Sequence, residues 1–228
     1  MPSTRVTSIR PSTRSLLGVL NPNSVDGHLY LAWFLEGTGR LSDALKEYEL
    51  AQELDPKEDH LSKGLAAQGK YDEAIGLMRR ALIIDPDDGY LHYELADIYA
   101  KKGDYKDWLR EQQRSVVLFG SPELVVPLGD AFVKAGYRGA MQVLAADLER
   151  LQVQQRIYMP IRLAEVYTAL GDEERAFYWL EDAYNHYRLG YSDSADGGMM
   201  WLKGDPWFAP LRSDDRFNNL AWRVGLPR

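Results

Sequence analysis

Five glycines along this 228-residue chain close the same local pattern, and that recurrence restricts the fold more than any other feature. Gly39, Gly69, Gly103, Gly136 and Gly171 each follow, at a distance of eight residues, a leucine: Leu31, Leu61, Leu95, Leu128 and Leu163. A small residue sits seven before each glycine (Ala32, Ser62, Ala96, Gly129, Ala164), and leucine or an aromatic sits four before it (Leu35, Leu65, Tyr99, Phe132, Tyr167). A unit that recurs at roughly 30–36 residues and is helical in its spacing is a helix pair that cannot bury its apolar face alone and must stack on its neighbours. The chain therefore reads as an α-solenoid rather than as one or two compact domains.

The pattern continues past each glycine. Five residues on come Ala44, Ala74, Trp108, Met141 and Ala176; in three units a large residue (Tyr48, Met78, Leu180) and then an alanine (Ala51, Ala81, Ala183) follow at spacings of four and three. Those spacings put the side chains on one helix face. Small residues allow close approach of two helices and large ones fill the grooves between them. Glycine ends the first helix of each unit, where a left-handed residue is cheap. Pro22, Pro56 and Pro86 each follow Asn or Asp and punctuate the ends of units. Pro56 and Pro86 are 30 apart where Pro22 and Pro56 are 34 apart, so the second unit lacks about one turn, which we place near Lys57–Asp59. Leu16–Leu20 has the composition of the end of a helix from a further upstream unit.

Composition sets limits on function. The chain is 45% hydrophobic and 27% charged, with no cysteine, which excludes disulfides, thiol catalysis and cysteine-held metals. Its net charge is −7. Residues 1–25 hold Arg5, Arg10 and Arg14 and no acid before Asp26, so the rest carries −10 and lacks the basic face that direct nucleic-acid binding needs. No apolar run approaches the ~18 residues of a membrane span, and the first 14 residues have no signal-peptide core. A cytoplasmic protein without membrane contact is the expectation.

The search for chemistry is negative. His28, His60, His92 and His186 show no metal-ligand spacing, and packing or rim positions account for them. Asp85–Gly89 lacks the alternating ligands of a calcium loop, and capping by Asp87 or Asp88 explains it better. Ser192–Gly198 reads as a plain acidic loop. Glu173 and Glu174 open a helix, where negative charge suits the dipole. No catalytic residue, metal or cofactor is expected.

The residues around the five glycines resemble those of the tetratricopeptide repeat family. Leu31–Pro56 (LAWFLEGTGRLSDALKEYELAQELDP), Leu61–Pro86, Leu95–Tyr105 and Leu163–Ala183 carry the resemblance, which covers residues 25–188. It implies an all-α, right-handed superhelix of about five helix-turn-helix repeats (25–56, 57–86, 87–121, 122–156, 157–188), after a basic leader or remnant of an upstream helix at 1–24. Two units depart from the family: Trp108 takes the usual alanine position, which should push its two helices apart or redirect the next, and Ala140 comes one residue early, which should shorten the fourth turn. Residues 189–228 add an acidic loop and an aromatic tail. Met199–Pro227 resembles the closing segment of bacterial tetratricopeptide repeat proteins that carry a winged-helix or protein kinase domain. Trp201, Trp207, Phe208, Leu211, Phe217, Leu220 and Trp222 are expected to form a helical cap over the last repeat.

In this family the first helix of each unit lines the inner face. The resemblance implies that residues six before each glycine point inward (Trp33, Lys63, Asp97, Asp130, Glu165), with Tyr93 ten before, Lys101 and Lys134 two before, and Tyr90 and Tyr158 near the helix starts. These ten residues form the expected ligand groove. The function expected is a non-enzymatic scaffold, monomeric or weakly self-associating, that takes an apolar or basic protein or peptide segment. An alternative is a sensory or regulatory module of a bacterial transcription or signalling protein; an enzyme with a pocket inside the superhelix ranks below both.

Overall fold

The computed structural model describes residues 23–55, 60–154, 158–188 and 198–226. The expectations for the leader, for Leu16–Leu20, for Lys57–Asp59 and for residues 192–197 lie outside the described residues. Within them the chain is all helix and turn. Helices α1 (Val25–Gly37) and α2 (Leu41–Leu54) pair; so do α3 (His60–Ala67) and α4 (Tyr71–Ile84), and α5 (Gly89–Lys102) and α6 (Tyr105–Leu118). One long helical stretch, α7 (Val125–Val153), makes up the fourth unit, and α8 (Pro160–Leu170) pairs with α9 (Glu173–Arg188). Each element packs on the next along the chain, as an all-α repeat array requires. Single 3₁₀ turns at Gly198–Trp201 and Pro206–Leu211 precede α10 (Asp215–Val224). No described helix is long and apolar enough to cross a membrane.

Local chemistry places the helix ends. Ser24 Oγ accepts the Gly27 N–H at 3.1 Å, and the Asp88 carboxylate accepts the N–H groups of Tyr90 and Leu91. Asp87, the other acid considered for that cap, instead pairs with Arg114. The apolar seam holds the repeat leucines Leu95, Leu128 and Leu163, nearly devoid of solvent contact, together with Ala96, Ala140, Ala164, Tyr99, Met141 and Leu180. Leu31 and Leu61 are only half-buried. A histidine–carboxylate bridge recurs at matching points of the first and third pairs, with His28 Nδ1 and His92 Nδ1 each 2.7 Å from a glutamate on the partner helix, Glu47 and Glu111.

The two departures from the repeat have different outcomes. The fourth unit does have a shortened turn: α7 is broken only at Ala135 and Gly136, where Gly136 (φ 62°, ψ −157°) takes a conformation that favours glycine. Its two arms then meet closely, since a Cβ on Gly139 would lie 2.6 Å from the Ala131 carbonyl oxygen. Trp108, by contrast, does not force its pair open. Helices α5 and α6 stay as closely packed as α1 and α2. The indole is completely buried and meets the Tyr137 ring edge-on at 4.7 Å, so it fills the space beside the broken helix instead.

The tail also differs from the expected cap. Helix α10 does cover α9: Phe217 and Leu220 are buried, Arg216 lies 4.0 Å above the Phe177 ring and Arg223 pairs with Glu181. Trp222, however, is 58% exposed. Trp201 and Trp207 reach beyond the last pair, because the two 3₁₀ turns that carry them, while packing on α9 and α8, also bring these indoles to α1 and α5.

Candidate functional site

The tail itself reports the curvature of the array. Trp201 packs edge-on against Trp33 of α1 at 5.9 Å between ring centres. Six residues later, the Trp207 indole N–H donates to Asp97 Oδ1 of α5 at 2.6 Å, and the Pro206–Leu211 turn packs on α8. Six residues span at most about 22 Å. The first helices of the first, third and fifth pairs therefore converge on one strip of chain.

A charged cluster lies beneath the strip. Tyr93, Asp97 and Lys101 follow one another at four-residue spacing and so form one stripe on α5. Asp97 is 2.8 Å from Lys101 Nζ and 3.5 Å from Arg162 of α8; Arg162 also pairs with Glu165 at 3.0 Å and covers the Tyr93 ring at 4.9 Å. Asp205 of the tail brings a third carboxylate to 3.7 Å from Lys101. The Arg162 side chain is only 5% exposed. Three carboxyls thus share two cations in a poorly hydrated place, and the charge balance decides their protonation. Burial alone would raise Asp97, but Lys101 and Arg162 outweigh it and hold this carboxyl below its ordinary value. Burial raises Glu165 well above the usual carboxylate range, and the charge of Asp205 adds to the shift. Burial would lower Lys101, yet Asp97 and Asp205 hold it above its ordinary value.

A second group lies towards the first pair. Lys63 of α3 donates to the Tyr90 hydroxyl at 2.6 Å and pairs with Glu94 at 3.2 Å. Burial, then the charge of Glu94, pushes the Tyr90 phenol up to about 12. On α1, Glu36 is raised by burial although it accepts the Tyr48 hydroxyl at 2.5 Å. Gly204 of the tail lies flat on this helix; a Cβ there would overlap the Glu36 carbonyl oxygen. Trp33 and Trp201 keep their indole N–H groups buried without an acceptor among the described residues.

Of the ten residues expected in the groove, five come together under the strip: Trp33, Tyr93, Asp97, Lys101 and Glu165. Lys63 and Tyr90 form the adjoining pair just described. Asp130 and Lys134 are exposed on α7 and take no part. Tyr158 faces the other way, donating its hydroxyl to the Asp182 carbonyl at 3.2 Å with its ring on His186. The acids at Asp97 and Glu165 were expected to attract a basic ligand, but Asp97 is already neutralised by Lys101 and Arg162, and Glu165 is bound to Arg162. Sequence reasoning missed Glu94 and Arg162, which sit nine residues before Gly103 and Gly171. A sharper helical register, three residues ahead of the inward position, identifies both. Glu36, Trp201, Asp205 and Trp207 carry no such signal, because their contacts reach across the sequence, from Trp33 to Trp201 and from Asp97 to Trp207.

Among the described residues no group of three His, Asp or Glu side chains is arranged to hold a metal. The arrangement offers ring edges, a shielded carboxylate that accepts an N–H and a shielded ammonium that faces an acid. A family model described as tetratricopeptide repeat matches residues 65–107, from the end of α3 to the start of α6, which includes Tyr90, Tyr93, Asp97 and Lys101. No curated protein matches the chain.

Proposed function

We propose that this chain, whose residues 65–107 match the tetratricopeptide repeat model, is a non-enzymatic scaffold whose inner face holds a polypeptide segment of a partner protein. The observation that carries this reading is the strip Trp201–Trp207. It lies on Trp33, Asp97 and Lys101 and meets them through two indoles and a carboxylate. Aromatic anchors and buried polar partners are the usual carriers of interface energy. An apolar, aromatic-bearing segment fits better than a basic one, since the charge of Asp97 is spent on Lys101 and Arg162. Half-exposed Tyr90 would form the rim. The non-enzymatic part is supported by the inner-face chemistry. The ionisable groups around Asp97 and Arg162 are committed to ion pairs, and neither a thiol nor a described histidine stands in that cluster.

The test is capture from a cell extract by the immobilised full chain. A discrete protein should be retained by the wild type and by Tyr178→Ala, an exposed outer position. Its retention should fall by at least about tenfold with Trp33→Ala combined with Tyr90→Ala, the loss expected for two aromatic anchors. Equal retention by all three chains sinks the proposal.

A further inference from the structure

We propose that the stretch Lys203–Trp207 is a built-in occupant of the inner face, and that the partner segment this face accepts has the same chemistry: a carboxylate preceded by glycine and followed two residues later by an indole. The inference rests on the scaffold reading above and names the ligand class of that site.

The spacing is written into both surfaces. Asp97 and Lys101 are four apart on α5, one turn of helix, and both are mostly shielded from water. They pair with each other, and the carboxylate and the ammonium each keep capacity for a further hydrogen bond. The strip meets both at once, with the Trp207 indole on Asp97 at 2.6 Å and the Asp205 carboxylate facing Lys101 at 3.7 Å. Pro206 between them fixes its own φ. Asp205 also accepts the Trp207 backbone N–H at 2.9 Å, so the indole and the carboxylate are set at this separation before they reach the face. Gly204 is required because the backbone there touches the Glu36 carbonyl, where a side chain has no room.

The grip is uneven in a way that lets the tip exchange. Leu202, Phe208 and Leu211 are fully buried and anchor the two ends of the strip. Between them Lys203, Asp205, Pro206 and Trp207 are only half-buried and depend on polar contacts. The fit against α1 is incomplete, since the indole N–H groups of Trp33 and Trp201 are buried without an acceptor among the described residues. A separate segment placing a carbonyl against either donor gains a hydrogen bond that the chain's own strip does not make. The resident strip therefore lowers the apparent affinity for a partner by the fraction of molecules in which it is seated.

The experiment titrates a labelled peptide of residues 201–208 into the full-length chain and follows fluorescence anisotropy. Gly204→Ala in the chain weakens the resident strip and leaves the groove side chains intact, while the peptide keeps its glycine. The variant should bind the peptide at least about tenfold tighter than the wild type, as removal of an internal competitor requires. Trp207→Phe in the chain, which deletes the indole N–H and keeps an aromatic ring, should act in the same direction and serves if Gly204→Ala does not fold by circular dichroism. A peptide with Trp207→Phe should bind the Gly204→Ala chain about tenfold more weakly, the loss of one charge-assisted bond. If both chain variants are folded and take the peptide no better than the wild type, the proposal is overturned. It is overturned as well if the Phe peptide binds with undiminished affinity. Should the peptide fail while partner capture still depends on Trp33 and Tyr90, the scaffold reading stands and only the internal occupant falls. Should the peptide bind while capture ignores those residues, the reverse holds.

Discussion

Asp97 and Lys101 on α5 have counterparts on α7: Asp130 and Lys134 stand at the same distances before their glycine, and both pairs are four apart. The fates of the two pairs are opposite. Asp97 and Lys101 are buried at the junction of α5, α8 and the tail, bound to Arg162, Asp205 and Trp207. Asp130 and Lys134 are in solvent, on a helix that breaks one residue after Lys134 and whose neighbours Val126 and Val133 are exposed too. The same local spacing therefore supplies a structural hub in one repeat and ordinary surface in the other. The deciding element is the strip 201–207, which meets Trp33 of α1 and Asp97 and Lys101 of α5, and whose last residues lie in a turn that packs on α8.

The comparison can be tested by removing pieces of the hub in turn. The largest effect is expected from Arg162→Leu, which strips Asp97 and Glu165 of their shared buried cation. Breaking such a pair costs about 3–5 kcal/mol, read as a fall in the urea midpoint, whereas Lys134→Leu should leave the midpoint almost unmoved. A loss at position 162 no larger than at 134 would erase the distinction between the two stripes.

Trp207→Phe comes next. It keeps an aromatic ring but deletes the N–H that Asp97 accepts, a bond to a charged group worth about 1.5–3 kcal/mol. A solenoid held only by neighbour contacts unfolds in pieces, and the strip ties its first, third and fifth pairs together. Calorimetry should therefore show a broader transition for Trp207→Ala than for the wild type. An equally sharp transition would mean that the strip does not couple the repeats.

The pH dependence separates the two carboxyls of the hub. Glu165, raised by burial and by Asp205, holds its proton in the fold at pH values where the unfolded chain has lost it. Stability from this group is then full below its unfolded value and is lost as pH rises towards the folded one, by at most about 1.4 kcal/mol per pH unit. Asp97 has the opposite sign: its folded value is depressed, so its contribution is present above the unfolded value and lost in acid. Lys101, Arg162 and Tyr93 face both, Asp205 acts on Glu165, and the Trp207 indole donates to Asp97. Glu165→Gln should flatten the decline of stability above about pH 4.3 without touching the acid limb, as followed by thermal melts across pH. The smallest effect belongs to Asp130→Asn, a surface change expected to stay within about 0.5 kcal/mol.

Much of the fold is legible from spacing because helix periodicity is local. Leucine, small residue, aromatic and glycine at fixed offsets specify a helix, its buried face and its end without reference to anything distant, and the shortened fourth turn follows from one displaced alanine. Of the two outcomes a sequence reading allows for Trp108, an opened pair is not seen; the indole meets the broken α7, which supplies the room. The residues picked by these offsets come together only in part for the same reason. Tyr93, Asp97, Lys101 and Glu165 follow from helical offsets, while Asp130 and Lys134 follow from those offsets and yet stand apart.

What the sequence determined by itself was therefore the helical repeat, its apolar seam and the set of side chains able to face inward, since each depends on residues within about one or two turns of one another. Only the tertiary structure decided which of those side chains are buried together, because that depends on where a tail a hundred residues away comes to rest. The strip from Trp201 to Trp207 shields one Asp–Lys stripe from water and leaves its twin wet. A charge gains or loses its energetic weight with its solvent, and solvent access is a property of the assembled array.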